Sequence, residues 1–156
     1  MGVDDGNKYK LTLKFKQEKI IAFDPGKTTG ICIIYKESAE FGHFNYGPDL
    51  FNWLEKLEQN LTFDAYICED YKIYPGMGER LVMDSIIPAR IIGILEYIAH
   101  KQSKKFVLQL AAHVKPFWTD DKLKEYGCYS SNKHERDAAR HALKYSLITG
   151  DKNGNS

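Results

Sequence analysis

Three short stretches carry acids whose type and spacing could do chemistry. Asp24 ends the run Ile20-Ile21-Ala22-Phe23 and is followed by Pro25-Gly26-Lys27-Thr28-Thr29-Gly30. Glu69 and Asp70 close the run Ala65-Tyr66-Ile67-Cys68. His134, Asp137 and His141 follow one another at spacings of three and four, which puts all three on one face of a helix. A charge at the end of a buried strand is costly unless a cation or hydrogen bonds satisfy it, so Asp24 either merely begins a turn or faces such a partner. Strand alternation gives Ile67 and Glu69 one face and Cys68 and Asp70 the other, so one acid points where a core residue would sit. Strand ends of mixed sheets are where sites collect, and Glu69 is read as functional on that ground. Carboxylates brought together resist ionisation unless a cation sits among them. Hard oxygen ligands suit Mg²⁺ or Mn²⁺. Two such ions about 4 Å apart can activate a water and stabilise the leaving oxygen of a phosphodiester.

The elements that would position these groups need a core, and 156 residues at 43% hydrophobic content suffice for one globular domain but not two. Net charge is +1 overall, yet residues 1–99 carry −4 and residues 100–156 carry +5. The second part either faces an anionic polymer or is an ordinary solvated surface. Cys32, Cys68 and Cys128 are odd in number and form no C-x-x-C pair, which argues for buried thiols in a reducing cytoplasm rather than a disulfide frame or zinc ribbon. No apolar signal region opens the chain, and the apolar stretch Ile91 to Ala99 is interrupted by Glu96, so neither export nor membrane spanning is expected.

In chain order, residues 1–18 are a tail containing the alternating segment Tyr9 to Lys16, an added edge strand or an arm for a partner. Ile20 to Tyr35 reads as a hairpin turning at Pro25-Gly26, and Glu40 to Tyr46 as a third strand. Leu50, Leu54, Leu57 and Leu61 repeat at helical spacing behind Asp49 as N-cap. Ala65 to Tyr71 is the fourth strand. Residues 72–83 read as a loop in which Tyr74 either stacks on an unpaired base or anchors the loop. A helix from Asp84 or Ser85 to Gln102 puts Pro88 in its first turn, and its isoleucines cover more than one face. Such a helix packs on the sheet and either on its own copy in a two-fold dimer or under its own chain. Phe106 to Leu110 is the fifth strand and Phe117 to Tyr126 a short helix stopped by Gly127. Asn132 caps the last helix, with Glu135 closing a capping box and so assigned to structure. Asp151 to Ser156 is a polar tail, and residues 150–156 are expected to be disordered.

Asp24-Pro25-Gly26 with Thr28-Thr29-Gly30, Glu69 closing its apolar run, and His134-Glu135-Arg136-Asp137-Ala138 opening the last helix occur in this order over about Lys19 to Leu147. In these features the sequence resembles the RNase H-like nucleases, and among them the RuvC-type Holliday junction resolvases, especially short versions encoded by bacteriophages. The resemblance implies an α/β RNase H-like domain over residues 19–149, with a five-stranded mixed sheet, three antiparallel strands and then parallel ones, flanked by helices. It implies an endonuclease that acts as a homodimer on four-way or branched DNA, with two Mg²⁺ per site and Mn²⁺ as a substitute, in the bacterial cytoplasm, that of a phage-infected host included. By position, Asp24 would bridge both ions, Glu69 would bind one and Asp137 the other, while His134 stands where some members have histidine and others an acid. Lys115 looks like a family lysine that contacts the scissile phosphate, with Lys122 second. Lys72, Tyr74, Arg80, Lys133 and Arg136 complete the residues expected to face DNA. The family's aromatic wedge has its place taken by Lys72, with Tyr71 and Tyr74 nearby.

Three rival readings keep part of this pattern. The same fold and metal site could trim RNA or flap DNA. An actin-like phosphotransferase also follows an acid with glycine and threonines, but closes two such domains over a nucleotide. A non-catalytic junction binder would have no use for clustered acids.

Overall fold

The computed structural model describes residues 18–36, 38–71 and 79–154, with backbone alone at 79–85 and 148–154. The readings at Lys72, Tyr74, Arg80 and Tyr9 to Lys16 fall on residues or side chains outside that range. Five strands form one sheet: β1 (Ile20–Asp24), β2 (Thr28–Tyr35), β3 (Ser38–Asn45), β4 (Ala65–Asp70) and β5 (Lys105–Leu110). Their spatial order is β3-β2-β1-β4-β5. The β1-β2 and β2-β3 pairs are antiparallel, whereas β1-β4 and β4-β5 are parallel. This is the mixed sheet expected from the sequence, flanked by helices.

Period-two alternation sorts each strand's side chains between two layers. Ile21, Phe23, Tyr66 and Cys68 meet Leu50, Leu54 and Leu57 of α1 (Pro48–Asn60) and Ile91, Leu95 and Ile98 of α2 (Glu79–Lys101). On the other face Ile20, Ala22, Cys32, Ala65 and Ile67 meet Ala138, Ala139, Ala142 and Leu143 of α4 (Lys133–Gly154), together with Val114 and Trp118. The small alanines let α4 lie close to the strands. All three cysteines are buried, and no helix among the described residues is long and apolar enough to cross a membrane.

Several element ends differ from the sequence reading. Helix α1 is entered through Gly47, at φ 151, with Pro48 at its start, so Asp49 lies in the first turn and not at the cap. Glycine reaches that φ without strain and proline is pre-set for the first helical position. Helix α2 begins at Glu79, so Pro88 lies inside it rather than in its first turn. An interior proline forfeits a backbone hydrogen bond and typically costs about 3 kcal/mol; Pro88 is buried, and its apolar ring offsets part of that cost. The short helix, α3, spans only Asp120–Glu125 because Thr119 Oγ1 accepts from Lys122 N at 3.3 Å and caps it, leaving Phe117 and Trp118 ahead of it. Gly127, at φ 72, follows its end. Helix α4 continues to Gly154, into the stretch read as a polar tail.

Candidate active site

Asp24 and Glu69 sit at the same ends of neighbouring parallel strands. The ladder pairs Phe23 with Cys68, so the next residues of β1 and β4 lie side by side on the face that carries Ala22 and Ile67. The turn after Asp24 is held by the Thr29 hydroxyl, which donates to Gly26 O at 3.3 Å and accepts from Gly26 N at 3.4 Å. Across β1, Asp24 pairs with Gly30. A Cβ on Gly30 would lie 2.0 Å from the His134 carbonyl oxygen. Only a glycine lets the first turn of α4 settle there, and that approach brings His134 Nδ1 to 3.1 Å from Asp24 Oδ2.

Asn132 caps α4 as its type suggests, Oδ1 accepting from His134 N at 2.9 Å and Glu135 N at 3.2 Å. The reciprocal half of the capping box is not made. Glu135 is structural, as expected, but its carboxylate meets His43 Nδ1 of β3 at 2.5 Å and accepts from the Ser130 hydroxyl at 2.6 Å. The cap residue's own N–H donates to Ser130 Oγ at 3.1 Å instead. A strand residue 92 positions away has outcompeted the local partner.

One turn on, Asp137 is buried and gripped from both sides. Its Oδ1 accepts from Arg140 Nη1 at 2.8 Å, and its Oδ2 lies 3.3 Å from Lys115 Nζ. Arg140 also donates from Nε to Trp118 O and pairs with Asp120, which ties α4 to the α3 segment. Lys115 follows β5 through the 3-10 turn Ala111–His113, and its ammonium also stands 3.5 Å from Glu69 Oε1. Acids from β1, β4 and α4 therefore converge on one lysine.

The charges are mutually dependent. Burial, then the adjacent Glu69 carboxylate and Asp137, push the Asp24 carboxyl well above the carboxylate range, with Lys115 opposing. Burial also works against the Glu69 charge, but His141, Asp24 and Lys115 together hold it low. Two touching carboxyls cannot both ionise cheaply, so the charge on Glu69 is favoured at the expense of that on Asp24. For Lys115 burial disfavours the charge, yet Glu69, Asp137 and Asp24 outweigh it and hold the amine above its ordinary value.

Among the described residues no group of three or more His, Cys, Asp or Glu side chains forms a ready ion cage. Lys115 supplies the cation there. The donor set nevertheless fits a hard divalent ion: three carboxylates meet around Lys115, and Asp24 remains under-compensated.

Of the residues singled out in the sequence, Asp24, Glu69, His134, Asp137 and Lys115 come together, with His141 behind Glu69. Lys133 is exposed at the start of α4. Lys122 covers the ring of Phe117, 3.4 Å from its centroid. Arg136 donates to the carbonyls of Ser130 and Ser131 and pairs with Asp120, so it holds the approach to α4. Sequence reasoning missed Arg140, Gln109, Ser130 and His43, and it gave Gly30 no steric role. Arg140 had a signal, since i and i+3 on a helix are neighbours. Gly30 had one as well, because glycine inside a strand marks close backbone approach.

No protein-family description matches the sequence, and no curated protein matches it. Solved structures do. Thermus thermophilus RuvC in complex with a Holliday junction substrate superposes with TM-score 0.62 at 15% identity, over 84% of this chain and 94% of that one. The fowlpox virus Holliday junction resolvase gives 0.53 at 13%, over 84% and 99%. The yeast mitochondrial Holliday junction resolvase Ydc2 gives 0.54 at 12%, over 92% and 84%. The chain thus has the fold of the RuvC-like Holliday junction resolvases.

Proposed function

We propose that this protein is a divalent-metal-dependent, structure-selective endonuclease that resolves four-way or related branched DNA junctions. The observation that carries the proposal is the convergence of Asp24, Glu69 and Asp137, from three separate elements, around Lys115. The fold shared with junction resolvases from a bacterium, a virus and a mitochondrion supports the substrate class.

Two Mg²⁺, or Mn²⁺ in their place, would be held by Asp24, Glu69 and Asp137 with His134 beside Asp24, and when bound supply an activated water and charge stabilisation at the leaving oxygen. The chain's own groups have separate tasks. Lys115, charged and with its side chain 44% exposed, offers an ammonium to a phosphate oxygen. Arg140 fixes the Asp137 carboxylate, and His134 orients Asp24. Hydrolysis leaves 5′-phosphate and 3′-hydroxyl ends. Lys133, Lys122 and, from the sequence, Lys72, Tyr74 and Arg80 would contact the DNA backbone or bases.

Two strands of a junction must be cut, which suits a homodimer. Partly buried Ile87, Ile92 and Ile94 around the buried stripe of α2 support a second copy against that helix. Three buried thiols suit a reducing cytoplasm.

Labelled four-way, flap, duplex and RNA–DNA substrates incubated with Mg²⁺ test the proposal. Paired cuts in the four-way substrate are expected, and Asp24→Asn should bind the junction without cutting it. Cleavage by Asp24→Asn at the wild-type rate would remove the assigned site. Preference for flaps or RNA would make the protein a broader RNase H-like nuclease, and binding without cleavage by the wild-type chain a junction-binding protein.

A further inference from the structure

His141 is fully buried, and its ring lies between two polar side chains of the sheet. Nδ1 is 2.9 Å from Oε1 of Gln109, a buried residue of β5, and Nε2 is 3.5 Å from Oε1 of Glu69. Neither Nε2 nor that carboxylate oxygen makes a full hydrogen bond among the described residues, and Lys115 Nζ also stands 3.5 Å from the same oxygen. An imidazole sealed from water has no alternative partner to turn towards. An orphaned buried polar atom costs about 1–3 kcal/mol. An N–H at Nε2 turned towards that oxygen would meet the need of both.

We propose that His141, backed by Gln109, is a positioning residue that keeps Glu69 Oε1 engaged, so that Glu69 presents only its other oxygen to a divalent cation. The inference rests on the metal-binding reading given above. Mg²⁺ requires compact octahedral coordination, whereas the larger Ca²⁺ readily takes both oxygens of one carboxylate. The buried histidine thereby biases the site towards the smaller ion. Partners behind a ligand are worth about 10- to 100-fold in metal affinity elsewhere.

Calorimetric titration of the full chain with Mg²⁺ and, separately, Ca²⁺, without DNA, tests this in wild type, His141→Leu and His141→Gln. Leucine keeps the volume and removes the donor; glutamine returns an N–H near the position of Nε2. Expected for His141→Leu is a loss of Mg²⁺ affinity of about tenfold with Ca²⁺ affinity unchanged or higher, while His141→Gln keeps the wild-type ratio. Equal weakening for both ions, or identical behaviour of the two variants, would reduce His141 to a packing role. Should His141→Leu not fold by circular dichroism, Gln109→Leu replaces it, with a smaller change of ratio in the same direction expected and an unchanged ratio overturning the inference. Wild-type protein that binds neither ion removes the metal reading and this inference together; binding with an unchanged ratio removes the inference alone.

Discussion

The two faces of the sheet are made by the same strands and built on opposite terms. Under α1 and α2 the strands contribute Ile21, Phe23, Ile31, Tyr66 and Cys68 to a largely apolar layer. Under α4, alternate residues of those strands bring Asp24, Glu69 and Gln109 against Asp137 and His141. One face contributes stability by removing apolar area from water. The other buries like charges that oppose one another, and it holds them because alanine-lined packing and a shared lysine leave them little room to separate. A cluster of titratable groups need not sit on a loop laid over a scaffold; it can be every second residue of the scaffold itself.

That contrast can be broken or sharpened by substitution. The largest effect is expected for Gly30→Ala, whose methyl would meet backbone, not a movable side chain, at 2.0 Å. It should push α4 from β2, costing about 3 kcal/mol or more of stability together with all cleavage; near-wild-type melting would show that the helix yields freely. Leu95→Ala, on the apolar face, should cost about 2–5 kcal/mol by denaturant titration yet leave cleavage per folded molecule intact. A changed rate would mean that the faces are coupled. Asp24→Asn should do the reverse, abolishing cleavage while raising the melting temperature of metal-free protein by about 2–4 °C. Its stabilisation should grow with pH above the ordinary carboxylate range. The folded carboxyl, facing Glu69, Asp137, Lys115 and His134, holds its proton more tightly than the unfolded one, so wild-type stability falls as pH rises towards the raised value. A melting temperature that fails to rise would show that Lys115 already balances the cluster. Smallest is Asn132→Ala, which forfeits two backbone contacts and should cost about 1 kcal/mol.

Much of this was legible in the residues because it is local. Short runs of apolar and aromatic residues gave all five strands, and the turn after Asp24 and the Asn132 cap follow from short-range chemistry. The acids at 24 and 69 stood out because each ends an apolar run, and Asp137 because it shares a helical face with two histidines. What sequence could not show was decided by distant partners. Glu135 leaves its expected capping bond for His43, a choice set by where β3 passes. Pro88 sits inside α2 because burial there outweighs a local rule, and the residues before it, Glu79 to Ser85, carry too weak a periodicity to mark the earlier start. The steric role of Gly30 becomes visible only once α4 lies across it.

The order of synthesis gives α4 one more consequence. Asp24 and Glu69 leave the ribosome early, but Asp137 and His134 belong to the final helix of the described chain. Until that segment emerges and docks, a nascent or prematurely terminated polypeptide has two acids and no third. On the proposed reading, any cutting of nucleic acid has to wait until translation of this stretch is finished.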